Sequence, residues 1–349
     1  MSNFYKLTVK TIQHNTPNSV VITFDLPREL KNTFKFLPGQ YLTIEKQLNG
    51  VTLRRAYSIC SDPTSRELSI GVKRMDEGSF SKYANEVLQE GDELMVHPPQ
   101  GRFVYKPVNT GDTIMAFAAG SGITPIMSIL KAVIYKTNNP FVLVYGNKSI
   151  EETMFYDELM DLATKFANRI KIHFVFSKQQ EANALYGRIE SSTVATLLSE
   201  SYQKDDLEGF YICGPEAMTE TIHGALEENG IDTHKIHKEL FTTDPMTPVS
   251  ETSVQEGDCK VTVTVDDDTS TLIMQKKERV LTAVLKNGID APYSCQGGIC
   301  SSCIARVTEG KVTMVKNQIL TDEEIEEGLV LTCQSIPETD TLVIDYDDV

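Results

Sequence analysis

Four cysteines in the last quarter of the chain have a spacing that could hold a redox-active metal cluster. Cys295, Cys300 and Cys303 form a C-x4-C-x2-C pattern, and Cys333 follows after 29 further residues. Four thiolates bind a [2Fe-2S] cluster with this spacing. Three of them would come from one tightly wrapped loop, and the fourth from a segment folded back beside it. The pattern therefore predicts a centre that carries one electron at a time.

A zinc site with four cysteine ligands is the main alternative. Such sites usually contain two close cysteine pairs, whereas this stretch has one, Cys300 and Cys303. Small residues between the cysteines would let the backbone approach closely and donate N–H groups to cluster sulfides. These residues are Gly297, Gly298, Ser301 and Ser302. Both observations favour the iron cluster.

The first part of the chain must fold separately from the cysteine region, because 349 residues exceed one ordinary core. Residues 1–108 contain short alternating runs, such as KLTVKTI and SVVITFDL, with turn residues between them. This pattern predicts an antiparallel β-barrel, interrupted by one helix at 79–88.

Residues 109–241 have a different rhythm. Compact apolar runs, such as TIMAFAA and PFVLVYG, alternate with helical patterns of ten to fifteen residues. Alternation of this kind predicts βαβ units and hence an α/β domain with a parallel sheet. The predicted helices cover residues 125–136, 154–167, 191–198 and 215–229.

The remaining residues form a polar stretch and a third domain. Residues 242–258 contain two prolines and little to bury, so we expect a linker that spans on the order of 20–25 Å. Residues 259–349 begin with an alternating strand pair, continue through a helix at 280–287 and the cysteine loop, and end on the run TLVIDY. We expect an α+β, β-grasp-like domain.

Two glycine-containing segments could bind phosphate groups. Residues 119–125, with the sequence AGSGITP, directly follow a predicted strand and open a helix, as a pyrophosphate-binding turn requires. Pro125 suits the first helical position. Residues 78–81, GSFS, begin another predicted helix, where free N–H groups favour an anion. Simple N-capping by Ser79 or Ser81 is the alternative there.

Cys213, Gly214 and Pro215 lie where another predicted strand ends. In an α/β domain this is the carboxyl edge of the sheet, where ligands bind. Core packing is the alternative for a lone cysteine at a strand end.

These motifs, together with Arg55-Ala56-Tyr57-Ser58 in the barrel segment, occur in the order typical of one family. Residues 1–241 resemble the ferredoxin–NADP reductases, through R-x-Y-S, GSFS, the glycine turn and C-G-P. Residues 259–349 resemble the plant-type ferredoxins, through PYSC and CSSC. Gln296 departs from the ferredoxin pattern, because many ferredoxins have a basic residue there.

The resemblance implies a set of residue roles around FAD. Arg55 would contact the pyrophosphate, Tyr57 would stack on the flavin ring, and Ser58 would reach flavin N5. Phe241 would cover the opposite flavin face, although it could also be a core aromatic at the domain edge. Further implied cofactor-binding residues are Gly71, Val72, Lys73, Gly78, Ser79, Phe80, Ser81, Gly120, Gly122, Thr124, Pro125, Cys213, Gly214 and Pro215.

The type of nicotinamide depends on charge near the third strand of the α/β domain. NADP requires positive charge for its 2′-phosphate, whereas NAD usually meets an acidic residue. Ser177, Lys178 and Arg188 resemble the phosphate clamp of the family. The sequence favours NADPH and leaves NADH open, since Lys178 and Arg188 could also be solvated surface charges.

The order of the three predicted domains resembles the reductase subunits of multicomponent oxygenases. The resemblance implies that electrons pass from NADPH through FAD and the cluster to a partner oxygenase component. Tyr57 and Phe241 would hold the flavin, while Cys213 and Thr124 would place the nicotinamide. Two alternatives are a general reductase of ferredoxins and dyes, and a redox sensor whose cluster controls binding.

Composition limits the partners. The net charge of −16 disfavours nucleic acid and anionic membranes. Residues 259–349 contain eight Lys and Arg against sixteen Asp and Glu, which either aids solubility or steers a basic partner. Seven cysteines without a signal peptide predict a cytoplasmic protein with reduced thiols.

Overall fold

The computed structural model describes residues 4–65, 67–200, 206–241 and 257–349. The predicted linker lies outside these ranges, except for its last two residues. The chain forms two compact units, of which the larger contains the barrel and the parallel sheet. None of the helices in the described ranges has both the length and the apolar character needed to cross a membrane.

The first sheet contains six strands among the described residues. They are β1 (Tyr5–Thr16), β2 (Ser19–Asp25), β3 (Tyr41–Leu48), β4 (Val51–Ser58), β5 (Leu68–Lys73) and β6 (Glu93–Val96). Their order is β4-β3-β6-β1-β2-β5, and β1 pairs antiparallel with both β2 and β6. The two edges meet where Ile59 pairs with Ile70, which closes the barrel as predicted.

Alternation along the strands explains the interior of the barrel. Leu7 and Ile22 are completely buried, while their neighbours in sequence are more exposed. Strand β5 is buried along almost its whole length, and its Ile70 is also completely buried. Burying each such side chain contributes roughly 1.5–3 kcal/mol. Helix α1 (Ser79–Glu86) packs on this core, close to the predicted helix at 79–88.

The second sheet is parallel and also has six strands in the described ranges. They are β7 (Thr113–Ala119), β8 (Phe141–Asn147), β9 (Ile170–Phe176), β10 (Leu185–Tyr186), β11 (Leu207–Gly214) and β12 (Ile236–Leu240). Their order is β10-β9-β8-β7-β11-β12. The helices are α2 (Ile123–Lys136), α3 (Tyr156–Lys165), α4 (Ser191–Glu200) and α5 (Glu216–Glu228). Separate apolar cores lie on the two faces of this parallel sheet, which explains why β7 and β8 are apolar along almost their whole length.

This strand order places a topological switch point between β7 and β11. The chain moves outward from β7 to β8, β9 and β10, and then returns to the other side of β7 to form β11. Ligands of open α/β sheets bind at the carboxyl ends of strands at such a point. The segments after β7 and β11 are those that contain the glycine turn and the C-G-P motif.

Helix α2 begins earlier than predicted. A 3-10 turn at Gly120–Gly122 leads directly into Ile123, so Pro125 is the third helical residue and not the first. Proline is tolerated there because the N–H groups of the first turn have no partner within the helix. Strands β10 and β12 were not predicted, since β10 has only two residues, both exposed, and β12 has only five.

The carboxyl-terminal unit has a mixed five-stranded sheet in the order β14-β13-β19-β15-β17. The five strands are β13 (Asp258–Val265), β14 (Asp268–Gln275), β15 (Ile304–Glu309), β17 (Leu329–Leu331) and β19 (Thr341–Asp345). Strands β16 (Val312–Met314) and β18 (Ser335–Pro337) form a separate two-stranded sheet. The helices of this unit are α6 (Val280–Lys286) and α7 (Asp322–Glu326). Strand β13 pairs parallel with β19, and α6 contributes Val280 and Val284 to the core. This is the expected α+β arrangement.

Candidate redox cofactor sites

The candidate flavin residues lie on adjoining barrel strands. Tyr57 and Ser58 end β4, and the Ile59–Ile70 pair places them beside the part of β5 that contains Gly71, Val72 and Lys73. The Tyr57 ring is half-buried, with its centroid 5.4 Å from that of Phe80.

The other two residues of the R-x-Y-S motif differ in exposure. Ser58 is 3% exposed, whereas Arg55 is half-buried. Arg55 donates from Nη1 to the carbonyl of Arg54 at 2.8 Å. The hydrogen bond of Arg55 fixes one guanidinium nitrogen and leaves the others able to meet an anion.

Helix α1 begins without a serine cap. Gly78 is the N-cap residue and no side chain caps it, so the N-capping alternative is wrong. Ser81 instead accepts a hydrogen bond at Oγ from the N–H of Met75 at 3.1 Å. A Cβ on Gly78 would lie 2.2 Å from this Oγ, which explains the glycine. The Phe80 ring is buried, so the first-turn N–H groups of Ser79 and Phe80 are the groups that could bind a phosphate.

The glycine turn after β7 packs directly against the end of β11. A Cβ on Gly122 would lie 2.1 Å from the carbonyl oxygen of Cys213, so only glycine fits. Gly120 has a positive φ of 53°, and its carbonyl accepts a hydrogen bond from Tyr145 at 2.9 Å. The two motifs, about 90 residues apart in sequence, therefore form one surface at the switch point.

The same turn meets the candidate flavin edge. A Cβ on Gly71 would lie 2.6 Å from Cγ2 of Thr124, and a Cβ on Gly120 would lie 3.7 Å from Nζ of Lys73. The Thr124 hydroxyl donates to the carbonyl of Ser121 at 3.0 Å. Burial lowers the pKa of Lys73, and the nearby Glu152 carboxylate partly opposes this shift. Barrel and sheet residues from separate motifs thus lie in direct contact.

Cys213 is completely buried and belongs to an apolar core, so the core-packing alternative also describes its surroundings. Burial raises the pKa of its thiol well above the usual range, and Glu239, its neighbour on β12, raises it further. The thiol is therefore protonated at neutral pH. Pro215 is the N-cap residue of α5 and lacks the N–H that this position does not need.

Phe241 follows the last residue of β12, beside the end of β11. Its N–H donates to the carbonyl of Gly214 at 3.3 Å. Its ring is half-buried and packs against the core that contains Cys213. The part of the ring that is exposed leaves both the stacking role and the core alternative open.

The candidate phosphate clamp is assembled at one edge of the sheet. The main-chain N–H of Ser177 donates to the main-chain carbonyl of Asn147 at 3.0 Å. The main-chain N–H of Lys178 donates to the main-chain carbonyl of Lys148, also at 3.0 Å. Strand β10 pairs Tyr186 with Phe176, and the N–H of Gly187 donates to the Phe176 carbonyl at 2.9 Å, so Arg188 follows close to the end of β9. Lys178 and Arg188 are exposed, as both the clamp and the surface-charge alternatives allow.

The four cysteines of the carboxyl-terminal unit converge. Cys300, Cys303 and Cys333 are buried, and Cys295 is half-buried. A hydrogen bond with Cys300 lowers the pKa of Cys295, and a hydrogen bond with Cys303 lowers that of Cys333. The main-chain N–H of Gly297 also donates to Sγ of Cys295 at 3.3 Å. Thiols that interact in this way can act together as ligands of one cluster.

Thr332 places the fourth cysteine, and sequence reasoning missed it. Strands β15 and β17 pair Ile304 with Leu331, so Cys303 and Thr332 are neighbours. Thr332 donates to the Cys303 carbonyl from its main-chain nitrogen at 3.1 Å and from its hydroxyl at 3.0 Å. The buried Tyr346 hydroxyl lies 2.9 Å from Oγ1 of Thr332. The only feature of the sequence that could have pointed to Thr332 is its position directly before Cys333.

The surroundings of the cysteines fit a cluster. Ser294 Oγ is buried and has no hydrogen-bond partner within the described ranges, so its hydroxyl is able to donate. A sulfide-containing cluster accepts hydrogen bonds from hydroxyl and main-chain N–H donors such as Ser294 and Gly297. When bound there, it would supply one-electron transfer.

Comparisons with known proteins match all three parts of the chain. Residues 6–105 match the oxidoreductase FAD-binding domain, residues 117–224 the oxidoreductase NAD-binding domain, and residues 259–338 the 2Fe-2S iron-sulfur cluster binding domain. The E subunit of 1,2-phenylacetyl-CoA epoxidase from Escherichia coli is 36% identical over 99% of both chains. The ferredoxin reductase component of 3-ketosteroid-9-alpha-monooxygenase from Rhodococcus rhodochrous is 34% identical over 97% of this chain and 96% of its own.

Solved structures show the same fold. Phthalate dioxygenase reductase covers 98% of both chains with a TM-score of 0.62 and 23% identity. An intact type IV self-sufficient cytochrome P450 monooxygenase matches 98% of this chain and 41% of its own, with a TM-score of 0.73 and 21% identity. The predicted fold and the cofactors FAD, pyridine nucleotide and [2Fe-2S] are confirmed. The chain therefore belongs to the ferredoxin–NADP reductase family with a carboxyl-terminal [2Fe-2S] ferredoxin domain, and it is an NAD(P)H-dependent electron-transfer oxidoreductase.

Proposed function

We propose that this protein takes hydride from NADPH and delivers single electrons to a partner oxygenase component of the phenylacetyl-CoA epoxidase type. The relatives named above are components of oxygenase systems, and the E subunit aligns over almost the full length of this chain. Bound FAD supplies the conversion of one two-electron transfer into two one-electron transfers. The chain itself supplies binding and alignment.

One observation supports this proposal most directly. Gly71 and Lys73 of the barrel contact the turn that contains Gly120 and Thr124, and that turn packs on Cys213. A flavin on β4 and β5 and a nicotinamide at the switch point would therefore meet without a large movement. Such prior alignment is the main contribution a protein makes to hydride transfer.

The proposed residue roles are those that the family resemblance implies, and the positions above are compatible with them. Arg55 neutralises the FAD pyrophosphate, Tyr57 stacks on the flavin, and Ser58 donates to flavin N5. Phe241 would cover the opposite face of a bound flavin. The protonated Cys213 thiol and Thr124 place the nicotinamide and exclude water. Cys295, Cys300, Cys303 and Cys333 bind the cluster.

The choice of NADPH rests on Lys178 and Arg188 at the carboxyl edge of β9 and β10. The test compares kcat/KM for NADPH and for NADH in the Lys178→Ala and Arg188→Ala variants. The control variant is Lys35→Ala, which removes an exposed lysine of the barrel. We expect a loss of about tenfold for NADPH alone, since each removed cation leaves one phosphate charge without a partner. Equal losses for both nucleotides would rule out the clamp.

The central experiment is an anaerobic titration of the purified protein with NADPH, followed by mixing with a purified oxygenase component. We expect the flavin and cluster bands to bleach, and the component to be reduced faster than an unrelated ferredoxin. Equal rates with any acceptor would favour a general ferredoxin and dye reductase, and slow turnover with every acceptor would favour a sensor. We also propose a cytoplasmic location, since a reducing compartment keeps cysteine thiolates available to bind a cluster.

A further inference from the structure

Gln334 directly follows the fourth cysteine and joins two separate parts of the cysteine site. Its amide nitrogen Nε2 donates to the main-chain carbonyl of Gln296 at 2.8 Å. The same nitrogen lies 3.8 Å from Sγ of Cys333. The residue is 1% exposed, so both contacts are formed away from water, where hydrogen bonds are strong.

The orientation of this amide is set by these two contacts. Within the described residues Oε1 of Gln334 has no hydrogen-bond partner. The main chain of Gln334 is also fixed by two hydrogen bonds. Its N–H donates to the Leu331 carbonyl at 2.8 Å, and its carbonyl accepts from the N–H of Val315 at 2.9 Å. The amide therefore extends toward the loop from a fixed backbone.

The loop that receives this amide is strained and closely packed. Gln296 has a φ of 55°, a left-handed conformation that persists in a non-glycine residue only when its surroundings enforce it. Two residues later, a Cβ on Gly298 would lie 3.0 Å from Cγ of Gln334 and 2.8 Å from the carbonyl of Lys316. The Gln334 side chain thus touches the loop at two points, one of them a strained residue.

We infer that Gln334 is a positioning residue for the [2Fe-2S] cluster. Its amide holds the Gln296 carbonyl, which keeps the loop of the first three cysteines closed against Cys333, and it directs an N–H toward the Cys333 sulfur. This inference rests on the proposed ligand set. Hydrogen bonds to cluster sulfurs stabilise the more negative, reduced state. Gln334 therefore retains the cluster and favours its reduction.

The test is a redox titration of the cluster in the full chain of a Gln334→Met variant, followed by visible and electron paramagnetic resonance spectra. At a fixed ambient potential, we expect the ratio of reduced to oxidised cluster to fall about tenfold, the effect of losing one hydrogen bond to a charged group. For one electron this corresponds to about 59 mV. The cluster should also bleach several-fold faster in the presence of an iron chelator.

Two further variants make the result decisive. Gln275→Met changes an exposed glutamine of the same unit and should leave the potential unchanged. Gln334→Glu keeps the shape but removes both N–H donors, and we expect it to lower the reduced fraction at least as much as Gln334→Met. An unchanged potential and unchanged bleaching in both Gln334 variants would overturn the inference. Failure of both variants to fold would also overturn it, because Gln334 would then be a core residue only.

Failure of the ligand assignment is distinguishable from failure of this inference. Iron and acid-labile sulfide are measured in Cys333→Ser, which keeps Gln334. Retention of a full cluster there would remove the ligand set on which the inference rests. Loss of iron in Cys333→Ser, together with an unchanged potential and unchanged bleaching in the Gln334 variants, would support the ligand assignment and rule out the role of Gln334.

Discussion

Thr332 holds the carbonyl oxygen of Cys303 with two hydrogen bonds, one from its main-chain nitrogen and one from its hydroxyl. Its Oγ1 is also 2.9 Å from the Tyr346 hydroxyl. Tyr346, which directly follows the last strand, is therefore connected through one threonine to the main chain of Cys303. Because Thr332 and Tyr346 are buried, the loss of either partner leaves a polar group without water.

Thr332→Val should lower the free energy of unfolding of the carboxyl-terminal unit by about 1–3 kcal/mol, since the Tyr346 hydroxyl loses its partner. Adding Tyr346→Phe to Thr332→Val should lower the free energy of unfolding by less than Tyr346→Phe does alone. The reason is that both members of the hydroxyl pair are then apolar. Denaturant unfolding of the two single variants and the double variant measures this coupling. Strictly additive effects would show that the two hydroxyls do not interact.

Cys333→Ser should abolish the cluster and leave flavin binding intact. Serine binds iron weakly compared with a thiolate, and the fourth ligand has no substitute among the three cysteines of the loop. We expect NADPH oxidation with ferricyanide, which can accept electrons from flavin, to continue, while transfer to the protein acceptor stops. Cys259→Ser, in the core of the same unit, should keep its iron. The iron-to-flavin ratio distinguishes the two variants.

Gly122→Ala should disrupt the contact between β7 and β11, because its Cβ would lie 2.1 Å from the Cys213 carbonyl. We expect a loss of about 1–3 kcal/mol in stability and a raised KM for NADPH. Gly224→Ala in helix α5 meets no atom within 4 Å and should stabilise the protein by about 0.5–1 kcal/mol. Thermal unfolding and nucleotide kinetics test both changes, and equal behaviour of the two variants would contradict the prediction.

Lys131→Met should weaken the attachment of helix α2 to the barrel. Nζ of Lys131 donates to the Cys60 carbonyl at 3.1 Å and lies 2.7 Å from Oε1 of Glu158. The side chain is 14% exposed, so its loss should cost about 1–3 kcal/mol. The exposed Lys136→Met on the same helix should change stability by less than about 0.5 kcal/mol. Denaturant unfolding measures both variants, and slower flavin reduction in Lys131→Met would show that this contact also supports alignment.

His237 should make the stability of the larger unit depend on pH below about 6.5. Burial lowers the pKa of His237, whose ring stacks on Tyr211 at a centroid distance of 4.8 Å. Between the lowered folded pKa and the ordinary value of 6.5, the unfolded state binds more protons. Stability is therefore full above pH 6.5 and falls as pH decreases through this window. His237→Phe should flatten this dependence, whereas His234→Phe, at an exposed position, should not.

The sequence by itself determined the fold class, the order of the domains and the cofactors. Hydrophobic periodicity is a local property, so the strand β7 and the helix α6 were predicted correctly, and the cysteine spacing pointed to the [2Fe-2S] domain that the comparisons match. The short strands β10, β12 and β15 to β18 were not, because a few residues carry too little periodicity and form strands only when a neighbour pairs with them.

The tertiary structure decided which distant residues support the site. Gly122 and Cys213, Thr332 and Cys303, Lys131 and Cys60, and Gln334 and Gln296 are each separated by between 29 and 91 residues. Their contacts depend on strand order and register, which no local pattern records. The absence of a serine cap on α1 is similar, since Ser81 Oγ accepts a hydrogen bond from the N–H of Met75 in place of one from the helix. The sequence therefore indicates which cofactors the chain binds, and long-range packing decides which distant residues support the candidate sites.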